Sequence, residues 1–113
     1  MSIKDGLLPE YDHEMGTTRR LLERVPQEDL AWKPHDKSMT LGELSGHIAN
    51  LPYWGSTLLE QPVFDLSTLG PDARARAPES VAELLSNFDA RVTRARTALA
   101  DAGDAVMLAP WTL

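Results

Sequence analysis

The sequence contains no cysteine. That absence removes disulfide frameworks, thiolate metal sites and cysteine nucleophiles together, and leaves imidazole and oxygen as the candidate metal ligands. No apolar run approaches the roughly 20 residues of a membrane helix. The start of the chain offers only Lys4 before Asp5, and Leu7-Leu8-Pro9-Glu10 is too short for a signal-peptide core. A cytoplasmic protein with no membrane partner is the expectation. There is no glycine-rich phosphate loop, no serine, histidine and acid at a spacing that marks a hydrolytic triad, no internal repeat and no strand-like alternation. Positive charge is also in short supply. The 17 acidic residues against 11 basic ones give a net charge of −6, so no nucleic-acid partner is expected. One basic cluster, Arg91, Arg94 and Arg96 with Arg74 and Arg76 upstream, is interleaved with small residues and holds no aromatics. It reads as a solvated helix face.

What is present is helical periodicity. A length of 113 residues with 42% apolar content suits one domain spanning 1–113 with a single core. Leu7, Leu8, Tyr11, Met15, Thr18, Leu22 and Val25 recur at three-and-four spacing, predicting a helix over Ile3–Val25 that Pro26 stops. Thr40-Leu41-Gly42-Glu43 has the form of a capping box and predicts a second helix over Thr40–Glu60. Its inward stripe is read as Leu41, Leu44, His47, Ile48, Leu51, Trp54 and Leu58, with a kink where Pro52 deprives the Ile48 carbonyl of its donor. Residues 61–78, with three prolines and a glycine, read as a long connection. Ser80-Val81-Ala82-Glu83 repeats the capping form and opens a third helix over Ser80–Ala102, closed by Gly103. The apolar tail Val106–Leu113 is too short for another packed helix.

The three histidines differ in placement. His13 falls opposite the first stripe and is expected on the solvent side. His35 lies in the loop after Pro34 and reads as a loop-bracing residue. His47 falls on the predicted inward stripe, where an imidazole must find partners, either a backbone carbonyl or a metal ion. Glu14, on the flank of the first stripe, reads as a rim residue or an ion-pair partner. Spacing alone marks no catalytic residue.

Several segments resemble the DinB family, the DinB/YfiT-like metal proteins. These are Tyr11-Asp12-His13-Glu14-Met15 with Thr18-Arg19, Leu30-Ala31-Trp32-Lys33-Pro34-His35, Leu41-Gly42-Glu43-Leu44-Ser45-Gly46-His47-Ile48-Ala49, Leu51-Pro52-Tyr53-Trp54 and Ala109-Pro110-Trp111-Thr112-Leu113. The resemblance implies an all-α, antiparallel four-helix bundle, represented here by three long helices plus the apolar tail. It also implies a divalent metal, zinc or nickel, held by His47 and by two histidines of a last helix. No histidine follows Gly103, so the chain is expected to be short of that helix or to have lost the site. A monomer is then expected not to be a competent metalloenzyme, because one imidazole binds zinc weakly. For a complete site the resemblance implies hydrolase or thiol-transferase chemistry on a small molecule or low-molecular-weight thiol. The alternatives are a non-catalytic helical association module and a small-ligand binder using a pocket near Trp32 and Trp54. Three amphipathic stripes without a fourth partner predict a homodimer, with the apolar tail Val106–Leu113 folding over the open side of the bundle as the rival expectation.

Overall fold

The computed structural model describes residues 1–68 and 76–113; Arg74, part of the predicted basic cluster, lies outside them. The fold is all-α. Helix α1 runs Ile3–Leu22, α2 Leu41–Asn50, α3 Pro52–Glu60, α4 Val81–Asp101 and α5 Asp104–Leu108, with short 3-10 turns at Gln27–Asp29 and Leu66–Thr68. No described helix is long and apolar enough to cross a membrane.

Local chemistry accounts for the borders. α1 opens where the Ser2 backbone N–H donates to Asp5 Oδ2 at 3.0 Å. It closes three residues before the predicted Val25, with Arg24 and Val25 donating to Leu21 and Leu22 in tightened final turns. Thr40 Oγ1 accepts from the Glu43 backbone N–H at 3.0 Å, and Ser80 Oγ accepts from that of Glu83 at 3.0 Å. Both predicted N-caps are thus in place. The reciprocal limb at Ser80 is displaced by one residue, since Glu83 Oε2 accepts from the Glu79 N–H at 3.0 Å.

Pro52 does more than kink the predicted Thr40–Glu60 helix. It divides the segment into α2 and α3 and becomes the first residue of α3, where its missing N–H and fixed φ are tolerated. The Ile48 carbonyl accepts instead from the Leu51 N–H at 3.2 Å, so the break leaves no buried acceptor without a partner.

α4 is the centre of the fold, packed by α1 on one side and by α2 and α3 on the other. Leu22, Ala49, Leu84 and Phe88 form the fully buried cluster, with Met15, Val25, Ile48, Leu85 and Val92 against it. Outside the core, polar ties join α1 to α4. Tyr11 Oη donates to the Val92 carbonyl at 2.9 Å, Lys4 Nζ donates to that of Ala100 at 2.7 Å, and Arg19 makes a two-pronged bond to Asp89. The arginines read as a solvated face on α4 are partly cross-braces: Arg94 pairs with Glu60 of α3 at 2.7 Å and Arg96 with Asp12 of α1 at 2.7 Å.

The tail folds back on the end of the bundle. Ile3 donates its N–H to Asp104 Oδ1 at 2.8 Å. Thr112 forms an isolated parallel bridge with Val63, and Trp111 Nε1 donates to the Gln61 carbonyl at 2.8 Å.

Candidate functional site

The second-helix segment carries two stripes. Gly42, Ser45, Ala49, Pro52 and Ser56 repeat at three-and-four spacing and are all buried. These small side chains let α4 approach closely. An added Cβ on Gly55 would stand 3.5 Å from Ala95 Cβ. The hydroxyls cost little to bury because each bonds within its own helix, Ser45 Oγ to the Gly42 carbonyl at 3.2 Å and Ser56 Oγ to that of Tyr53 at 2.8 Å. The large residues Leu44, Leu51 and Leu58 lie on the other side and remain 46%, 49% and 43% exposed. At 100° per residue the two stripes are roughly 150° apart.

His47 belongs to the second stripe. The expectation that it points inward is overturned: it is exposed, as are His13 and His35. The reason is that both stripes carry helical spacing, and spacing alone does not distinguish a large apolar face from a small one as the core side. Packing against α4 selects the small one, because close helix approach leaves no room for a leucine row once Leu84 and Phe88 occupy the interface. The sequence signal for the correct face was the run of small residues at 42, 45, 49, 52 and 56.

His13 and His35 behave as expected. His35 Nδ1 accepts from the Lys37 backbone N–H at 3.1 Å and braces its loop. Glu14 is exposed on α1. No group of three or more His, Asp or Glu side chains placed to hold a metal ion exists among the described residues. Among the described residues His47 is thus a single candidate ligand for the metal that the resemblance implies.

At the tail end of the fold the open face deepens into an apolar groove of about 630 Å³, to which Ile3, Leu7, Leu58, Met107 and Trp111 contribute. The pocket expected near Trp32 and Trp54 is not what forms this groove. Trp54 packs edge-on against Phe64 at 5.1 Å between ring centroids, and Trp32 is 59% exposed in the loop before α2. That loop is fixed by the Leu41 and Gly42 N–H groups, which donate to the carbonyls of Trp32 and Leu30 at 2.8 Å each.

The ion pairs hold their carboxyls below the ordinary range. The Arg96 guanidinium lowers Asp12, that of Arg19 lowers Asp89 and that of Arg94 lowers Glu60, in each case mainly through the hydrogen bond. Partial burial raises the Tyr11 phenol.

The profile of the DinB superfamily matches residues 10–113, which is nearly the whole chain and includes α2 with His47. The chain belongs to the DinB superfamily. Comparison with curated proteins and with solved structures gave no match. Membership agrees with the all-α bundle and leaves the chemistry of this DinB protein to be argued from its open face.

Proposed function

We propose that this DinB protein acts through association: a second copy covers the outward stripe of α2 and α3, and His47 enters that interface as the ligand the chain offers to a divalent metal, zinc or nickel. The observation that carries the reading is the exposure of Leu44, Leu51 and Leu58 in one row with His47 among them. Covering the exposed part of each leucine contributes about 0.7–1.4 kcal/mol. With Ile3 and Leu7 from the same groove, two copies bring ten such side chains and about 7–14 kcal/mol, comparable with the about 4–15 kcal/mol that association costs. The balance supports a dimer whose population depends on concentration, and an isologous contact lets one apolar stripe serve both partners.

A metal bound in a completed site would supply a Lewis acid for a water or thiol nucleophile, in keeping with a hydrolase or thiol transferase acting on a small molecule. What the described residues contribute is the imidazole and the exposed apolar side chains of Leu44 and Leu51 near it, which the second copy would shield from water.

Sedimentation equilibrium at micromolar protein, with and without zinc, tests the proposal. The expected result is a dimer that zinc tightens, that Leu51→Asp dissociates, and whose response to zinc disappears in His47→Ala. A monomer at all accessible concentrations defeats the association; a dimer indifferent to zinc and to His47→Ala retains it and removes the metal.

A further inference from the structure

We propose that a second, separate site for a small oxyanion, a carboxylate or phosphate group, lies between α2, α4 and the segment 76–78. A cavity of about 110 Å³ opens there, with Arg76, Asn87 and Arg91 among its lining residues. Asn87 and Arg91 lie one helical turn apart on the same side of α4, so the carboxamide and the guanidinium are stacked along one wall. The segment that carries Arg76 borders the cavity beside α2. Its position follows from the crossing at Gly46, where an added Cβ would stand only 2.9 Å from Pro78 Cδ. A glycine at 46 is what lets the segment lie close against α2.

The charge arrangement points to an anion. The other arginines of α4, Arg94 and Arg96, are each paired with a carboxylate, as is Arg19 of α1. Neither Arg76 nor Arg91 has a carboxylate within ion-pair distance among the described residues, and Arg91 is half-buried. Two arginines lining one small cavity bring like charges near each other, and an oxyanion bound between them would offset that repulsion with charge-assisted bonds. Glu83 also lines the cavity and its Oε2 is held by the Glu79 N–H at the start of α4; its single negative charge against the two arginines leaves the lining net positive. The volume is well below the about 300–1,000 Å³ of a site for a drug-sized molecule. It admits one anionic group, and any larger remainder of the ligand stays outside. Nothing in this site depends on His47 or on self-association.

Calorimetric titration of the full chain with sodium phosphate and, separately, with sodium acetate, at constant ionic strength in chloride, tests the proposal. Saturable binding of one or both is expected, and which one binds assigns the phosphate or the carboxylate source. Arg91→Met and Arg76→Gln should each weaken it roughly tenfold or more, while Arg20→Met on the exposed side of α1 leaves it unchanged. A thermal melt establishes that each variant folds, and if Arg91→Met does not, Arg76→Gln carries the test together with the NMR shift of the Asn87 side-chain amide on titration. Absence of saturable binding by both anions overturns the site, as does binding that survives in the folded arginine variants.

Discussion

Truncating Phe88 and truncating Leu44 should have very different consequences, although both are large apolar residues on stripes of helical spacing. Phe88 is 1% exposed and stands in the centre of the only fully buried cluster among the described residues. Phe88→Ala removes its transfer free energy and leaves a cavity lined by Leu22, Leu84 and Ala49, a loss of about 3–5 kcal/mol. Against the about 5–15 kcal/mol that holds a domain of this size together, the variant sits near the edge of stability, with a Tm lowered by about 12–20 °C at about 4 °C per kcal/mol. Leu44 is 46% exposed, so Leu44→Ala forfeits only part of a leucine's burial, opens no sealed cavity and gains slightly in helix propensity. Its cost is about 1 kcal/mol or less. Urea unfolding followed by far-UV circular dichroism, at a dilution where the protein is monomeric, reads both values from the shift in midpoint at constant m. If Leu44→Ala at that dilution costs as much as Phe88→Ala, the outward stripe is covered within the monomer and the open-face reading is refuted. A cost for Leu44→Ala that grows with protein concentration is the signature of the second copy.

Other consequences are smaller in scale. Ser80→Ala removes the acceptor for the Glu83 N–H and should lower stability by about 1 kcal/mol, read from the same urea midpoint. Gly6 has nothing within 4 Å of an added Cβ whereas Gly46 meets Pro78; thermal melts should show Gly6→Ala stabilising by about 0.5–1 kcal/mol and Gly46→Ala destabilising despite the same gain in propensity. The carboxyls of Asp12, Asp89 and Glu60 titrate below the ordinary carboxylate range, held there by the hydrogen bonds from Arg96, Arg19 and Arg94. Their folded pKa values are depressed, so their contribution is present above the unfolded pKa and is lost as pH falls through the folded one. Stability should be flat across neutral pH and decline below about pH 4, modestly because the pairs are solvent-exposed. In pH-dependent melts, Asp89→Asn should flatten part of that acid limb.

The borders of the helices were legible in the sequence because they are set by contacts within a few residues. Thr40 and Ser80 cap with their own side chains, Pro26 and Pro52 withhold a backbone donor, and Gly103 follows the last long helix; none of these depends on where another helix lies. The family was legible for a related reason, since the segments around Trp32-Lys33-Pro34 and His47 stand contiguously in the chain. The orientation of the second-helix segment was not. Its small row, Gly42, Ser45, Ala49, Pro52 and Ser56, and its large row, Leu44, His47, Leu51 and Leu58, have equivalent periodicity, and periodicity specifies that a face is repeated without specifying what it meets. α4 decided it by bringing Leu84, Phe88 and Ala95 so close that only the small row fits, which turned His47 outward. The presence of Arg91 and Arg76 at one cavity is likewise tertiary, because residues fifteen positions apart on a helix and on an irregular segment come together only through the crossing of Pro78 over Gly46.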